Sequence, residues 1–418
     1  MKTLIILIVF LFSGLLPAQE SEEWNQWKGP THEGKSLSKN LLDQWPENGP
    51  PLLWKAEGLG AGYSNFSFWK DRMFTEGDFE NESFLLALDR NNGKTIWKTR
   101  IGPGGPIGGH VGTKSTPATD GKFVYGLNQT GFLICTDIDS GKILWTKNLY
   151  DDFGGKMPAN EKYNGIHWGY ASSPILDGNK LIIMPGGSQG TVFALDKTTG
   201  KTIWRSKDLT DSSPYCTPVP TVIDGVYQYL ILTEFSIAGI NPEDGSVLWK
   251  ANYPGRSIVC SDPVQSEGFV FASSAYTVGA VAWKVEKNGK NFSVQQLYAN
   301  NKFDNKHFCI MPLGGYLYFA TDRGSFLCID LKTGKVQWEE RRMRGKASVS
   351  FADGKLILRK ENTGELILIQ ANPKKYTEIS RFKQPDRTDK NAWTYPFIVN
   401  GKMYVRDQDS VYCYNLKK

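Results

Sequence analysis

The stretch CTDIDSGKILWTK (135–147) decides the fold. It recurs as LALDRNNGKTIWK (86–98), ALDKTTGKTIWRS (194–206), GINPEDGSVLWKA (239–251) and CIDLKTGKVQWEE (328–340). The common pattern is a small residue, an apolar residue or Thr, Asp or Asn, three variable positions, Gly, and Trp four further on. An Asp or Asn that ends a strand can accept hydrogen bonds from the turn backbone with its own side chain. The Gly supplies the positive φ that a three-to-five-residue hairpin loop needs. Alternating Ile, Val and Leu ahead of the Trp read as the next strand. The motif is a β-hairpin, repeated.

The five tryptophans, Trp97, Trp145, Trp204, Trp249 and Trp338, stand 48, 59, 45 and 89 residues apart. The last gap is two units long and contains a degraded copy, AWKVEKNGKNFSVQQLY (282–298). A second degraded copy, LILIQANPKKYTEISRF (366–382), follows Trp338. Ahead of the hairpins lies another pattern: STPATDG (115–121), SSPILDG (172–178), TVIDG (221–225), SVSFADG (348–354) and YPFIVNG (395–401). Each unit is therefore four short strands, and a period of ~40–50 residues with four strands is that of a β-propeller. The ends set the blade count. PLLWKAEG (51–58) is a last strand, with Trp54, that has no preceding strands of its own blade. MYVRDQDSVYCYNLKK (403–418) stops where a last strand should begin. One shared blade plus seven complete units predicts an all-β, eight-bladed propeller over 51–418, its last blade closed by the N-terminal strand. Closure also removes two open sheet edges.

Lys2, the apolar run Leu4–Leu16 and Pro17-Ala18 predict a signal peptide over 1–18, followed by a lead-in over 19–50. The run is shorter than the ~20 residues of a membrane span. No cysteine follows it, so neither a span nor a lipid anchor is expected, and the chain reads as an exported monomer, periplasmic or secreted. Without the peptide, 48 Lys+Arg face 43 Asp+Glu with the signs interspersed. That excludes the clustered basic stripe of a nucleic-acid binder. Of six cysteines, Cys135, Cys328 and Cys413 occupy the small-residue column that Ala87, Ala194 and Gly239 fill elsewhere, which predicts structural thiols. Cys216, Cys260 and Cys309 are left open.

The DxxxGxxxW hairpin resembles the quinoprotein repeat, the unit of pyrroloquinoline-quinone (PQQ) dehydrogenases and of a propeller lipoprotein of the bacterial outer-membrane assembly machinery. The resemblance spans 52–418, and the lead-in WNQWKGPTHEG (24–34) is similar to that of exported PQQ-like propellers. It implies an eight-bladed fold and, for the dehydrogenase branch, PQQ with calcium. The chain departs from that branch: it has no adjacent cysteines and no CxxCH.

Loops that pass from one blade to the next end at the propeller axis. Two such loops stand out, IGPGGPIGGHVGTK (101–114) and NLYDDFGGKMPANEKYNGIHWGY (148–170). His110, His167 and His307 fall at axial ends of such loops, with Trp168, Tyr215, Arg256 and Trp393 in the same zone. These are the candidate funnel residues, suited to an anionic or cyclic ligand; the alternative is that they cap loop backbone. Asp151, Asp152 and Glu161 are weaker calcium candidates, and RRMRGK (341–346) reads as a solvated loop. Two functions follow. One is a non-catalytic binding or scaffold module for an envelope or extracellular protein or glycan. The other is a PQQ- and calcium-dependent alcohol or sugar dehydrogenase, for which the residues name no catalytic base.

Overall fold

The computed structural model describes residues 24–418 except 30, 160–166, 257, 307–308 and 344. The expected signal peptide, His307 and Glu161 therefore lie outside the described residues. Thirty-two described strands form eight four-stranded antiparallel sheets, consecutive in sequence save one. Blade 2 shows the pattern: Ala118–Thr119, Phe123–Leu127, Phe132–Asp137 and Ile143–Asn148, from the axis outward. Blade 8 takes Phe397–Val399, Lys402–Asp407 and Ser410–Asn415 from the C-terminal end, and Leu52–Ala56 completes it from the other.

Strand register explains the small-residue column. Cys135 pairs directly with Trp145, Ala87 with Trp97, Ala194 with Trp204, Gly239 with Trp249, Cys328 with Trp338 and, across the shared blade, Cys413 with Trp54. Directly opposed Cβ atoms lie only ~5 Å apart, so a residue facing an indole must be small. The thiols serve this packing: all six cysteines are free, and burial pushes Cys135, Cys328 and Cys413 up to about 12.

The turn glycine does more than adopt positive φ. A Cβ on Gly141 would stand 2.7 Å from the ring of Trp97 in the preceding blade; Gly200 meets Trp145 and Gly245 meets Trp204 in the same way. The indole N–H then donates to the backbone just past the turn Asp or Asn: Trp97 to Ile138 O (3.0 Å), Trp145 to Lys197 O (3.2 Å) and Trp204 to Pro242 O (2.9 Å). Gly and Trp are thus two halves of one contact between successive blades. Blade 5 breaks the pattern. Its outer strands, Gly279–Asn288 and Asn291–Asn300, pair over ten residues and present no such turn to Trp249. Trp249 instead donates to Gln228 Oε1 in its own sheet at 2.6 Å. Tyr298 replaces the missing tryptophan of blade 5, sending its hydroxyl to Leu331 O at 2.8 Å.

The closing seam carries two buried arginines. Arg359 of blade 7 donates to Thr394 Oγ1 (2.7 Å) and to Arg406 O (2.5 Å). Arg406 of blade 8 donates to Thr75 Oγ1 (2.6 Å), Glu76 O (2.7 Å) and Gly60 O (3.1 Å), reaching blade 1. Charged donors make the stronger hydrogen bonds, and here they span the junctions where the ring closes.

The lead-in is structural as well. Residues 24–29 and 31–36 enter the lower end of the axial channel and bond to its innermost strands. Phe68 N–H donates to Trp24 O (2.8 Å), Thr119 N–H to Asn25 O (2.9 Å) and Leu176 N–H to Gln26 Oε1 (2.7 Å). Trp24 and Trp27 meet Phe397 and Tyr395 edge-on, and Ser36 N–H reaches Phe351 O of blade 7 at 2.9 Å. The segment is a plug.

Candidate functional site

A repeated Ser/Thr/Asp-Pro dipeptide starts the innermost strands of blades 2 to 5: Thr116-Pro117, Ser173-Pro174, Thr217-Pro218 and Asp262-Pro263. Proline cannot donate, so the residue before it holds the free N–H. These groups form a belt around the axis. Asn65 N–H donates to Thr116 Oγ1 (3.3 Å), Thr116 N–H to Ser173 Oγ (3.0 Å), Ser173 N–H to Thr217 Oγ1 (3.0 Å), and Thr217 N–H to Asp262 Oδ1 (2.8 Å). The belt ends on a carboxylate whose other oxygen receives the Trp27 indole N–H (2.7 Å) and the Lys28 ammonium (2.8 Å). Lys28 and Asp262 are 4% and 3% exposed, so the pair is desolvated. Burial alone would push Lys28 down; the Asp262 charge and hydrogen bond, together with the nearby Cys309 and Cys216, outweigh it and hold the ammonium above its ordinary value.

Above this floor lies a cavity of about 530 Å³, walled by the blade-crossing loops. Of the candidates, His110, Trp168, Tyr215 and Trp393 line it. Gly108, at φ 61°, lets the loop of His110 approach Trp168: a Cβ there would stand 2.8 Å from Trp168 Cδ1. Tyr215 meets the Trp168 ring edge-on, and its hydroxyl accepts the Trp168 backbone N–H at 3.2 Å. Trp393 is held by its indole N–H to Glu361 Oε1 (2.7 Å) and packs against His110 and Tyr63. Burial, then Lys114 and Lys306, lower the pKa of His110, so near neutral pH the imidazole is uncharged and can donate or accept.

Two other candidates do not line it. His167 Nδ1 accepts the Gly169 N–H at 3.1 Å, bracing its own loop, and the ring is not part of the cavity wall. Arg256 is exposed outside it. Asp151 and Asp152 open a short helix, Leu149–Phe153, where Asp152 pairs with Lys147 and accepts Asn148 N–H. In the 341–346 run, Arg341 and Arg342 pair with Glu339 and Glu340.

Sequence reasoning missed the cavity's cations. Lys114 and Lys306 both line it, and neither has a carboxylate at ion-pair distance among the described residues. Lys114 Nζ donates to Gly112 O at 3.2 Å, and burial pushes its pKa down to about 8. Lys306 Nζ stands 5.3 Å from the ring centre of Tyr276. The Ser/Thr/Asp-Pro column was the available signal for the belt; single lysines in loops carried none.

A calcium–quinone pair does not fit this chemistry. It needs carboxylate oxygens for the metal and a free carboxylate base. Among the described residues the cavity's carboxylate is Asp262, whose oxygens are taken by Thr217, Trp27 and Lys28.

Comparison with known proteins agrees on the fold. The outer membrane protein assembly factor BamB of Yersinia pestis is 22% identical over 327 residues, covering 75% of this chain and 76% of that protein. The crystal structure of BamB from Moraxella catarrhalis matches 87% of this chain and 98% of its own at 14% identity, with a TM-score of 0.58. Quinohemoprotein alcohol dehydrogenase from Comamonas testosteroni matches 95% of this chain and 81% of its own at 13% identity, TM-score 0.62, which shows the shared propeller alone. The family profile described as outer membrane protein assembly factor BamB matches residues 81–340, more than half of the sequence, and the chain belongs to that family.

Proposed function

We propose that this protein is an exported, non-catalytic propeller that docks a protein partner during outer-membrane protein assembly in the envelope. One observation carries the reading. The residue just before the repeat tryptophan is a large apolar side chain left in solvent on four successive blades: Leu53 of blade 8 (47% exposed), Ile96 of blade 1 (46%), Leu144 of blade 2 (47%) and Ile203 of blade 3 (42%). In blade 6 the same position is Gln337. These residues lie on outermost strands, whose edges can accept a further strand. An apolar arc on such a rim is the surface of a docking site. Family membership supplies the process, and the engaged state of Asp262 argues against a proton-abstracting site. No helix among the described residues is long and apolar enough to cross a membrane.

The test is genetic. Deleting the gene in its native host should lower the amount of folded outer-membrane β-barrel protein, and the wild-type gene should restore it. A variant with Ile96→Glu, Leu144→Glu and Ile203→Glu should fold and export yet fail to restore. Unchanged outer-membrane protein in the deletion strain would refute the process, and full rescue by the triple variant would refute the rim.

A further inference from the structure

The axial cavity lies apart from the rim, and its chemistry is specific. The belt of hydrogen bonds running from blade 1 to blade 5 has an unused start. Thr116, Ser173, Thr217 and Asp262 each accept a neighbour's N–H through the side chain. Asn65 begins the series, is 2% exposed, lines the cavity, and its buried Oδ1 has no hydrogen-bond partner. A buried acceptor left without a donor costs about 1–3 kcal/mol, and a ligand hydroxyl would relieve that cost. Lys114 and Lys306 add two ammonium groups without carboxylate partners among the described residues. The aromatic wall, with Trp168 and Trp393 fixed by Tyr215 and Glu361, supplies apolar surface from two separate loops. A cavity of about 530 Å³ is the size of a small-molecule site.

These features select for different parts of one ligand. Two cations call for an anion, the orphaned Asn65 oxygen calls for a hydroxyl donor, and the aromatic wall calls for a ring. We propose that the axial cavity binds a hydroxylated six-membered ring carrying a carboxylate, the chemistry of a uronic acid. Its carboxylate is met by Lys114 and Lys306, and a ring hydroxyl donates to Asn65 Oδ1. Trp27 and the Lys28–Asp262 pair form the floor, so the ring enters from the open upper face. The ligand is either a free monosaccharide or the end of a uronate-containing polysaccharide; both present the same group.

Calorimetry and tryptophan fluorescence on the mature chain test this with glucuronate, a short oligouronide, glucose and benzoate at neutral pH. Saturable binding of glucuronate or the oligouronide, at least tenfold tighter than glucose or benzoate, is expected. A preference for the oligouronide over the monosaccharide identifies a chain end as the ligand, and equal binding identifies the free sugar. Lys114→Gln and Asn65→Ala should each weaken glucuronate tenfold or more. Should either variant fold poorly, Lys306→Gln serves as the second, with the same expected loss. Affinity should also fall as pH rises past about 8, where Lys114 loses its proton. No saturable binding of either uronate, equal binding of glucose or benzoate, or uronate binding indifferent to Lys114→Gln and Lys306→Gln would overturn the proposal.

Discussion

At the lower end of the axial channel Lys28 is buried, yet its ammonium faces Asp262 at 2.8 Å and its pKa is held up. At the upper end Lys114 is half-buried, its ammonium donates to the Gly112 carbonyl, and burial pushes its pKa down to about 8. The same side chain on the same axis is thus placed in opposite ways. A buried charge in a folded core is expected to be paired and hydrogen-bonded, and the lower lysine obeys that rule fully. The upper one, half-exposed to the cavity, has no carboxylate at ion-pair distance among the described residues, and departures from local consistency gather at functional sites. The contrast separates a structural end of the channel from a binding end.

The largest break in this contrast is expected at Lys28. Lys28→Ala removes one partner of a buried pair and leaves Asp262 uncompensated, which costs about 3–5 kcal/mol. Urea unfolding should show the loss as a lower midpoint with an unchanged slope. Combining Lys28→Met with Asp262→Asn should recover most of it, because no buried charge is then left alone. If the single variant proves neutral, the plug does not hold the channel in the way the ion pair indicates.

Much of this architecture is legible in the amino-acid sequence. The Asp, Gly and Trp columns encode contacts within a blade or to the next one, so a single period displays them, and the blade count followed from Trp54 and the missing strand after Asn415. The plug could not be read. Trp27 and Asp262 are 235 residues apart, and a segment that occurs once has no period to betray it. Lys114 and Lys306 were hidden for a different reason: a lysine in a loop is ordinary until its surroundings are known to hold no carboxylate at ion-pair distance. His167 shows the converse limit of spacing. It shares its spacing to a turn Asp with His110, but its ring turns back to brace Gly169.

Trp27 sharpens the comparison at intermediate size. Trp27→Phe keeps an aromatic floor but deletes the indole N–H to Asp262, a hydrogen bond to a charged group worth about 1.5–3 kcal/mol. The unfolding midpoint should fall by less than in Lys28→Ala, since the ion pair survives. Equal losses would mean that the two residues act as one unit rather than as two separate contacts.

Lys114→Gln should act in the other direction. The charged form is disfavoured in the fold, because its pKa of about 8 lies below the ordinary value of 10.5. The unfolded chain therefore binds more protons between about pH 8 and 10.5, and wild-type stability from this group rises with pH across that window. Below pH 8 the Gln variant should be equal to or slightly more stable than the wild type, within about 1 kcal/mol. The advantage should vanish above pH 10.5. Lys28 predicts the opposite sign: with its folded pKa raised, its contribution is full below 10.5 and is lost as pH climbs through the higher folded value. Parallel pH profiles for the two variants would erase the distinction between the ends of the channel.

The smallest expected signal is chemical and needs no mutation. Burial pushes Cys260 up to about 12 and Cys309 up to about 11, so neither is a thiolate near neutral pH and both should alkylate slowly. Access then separates them. Cys260 is part of the cavity wall and only half-buried, whereas Cys309 is 6% exposed and Cys216 is 2% exposed. Peptide mapping after iodoacetamide at pH 8 should find Cys260 labelled first of these three, by a few-fold in rate. Residence of glucuronate in the cavity should slow Cys260 alone. Cys309 and Cys216 lie near Lys28 of the plug, so labelling of either ahead of Cys260 would mean that the lower end opens more readily than the upper, reversing the roles assigned to plug and funnel.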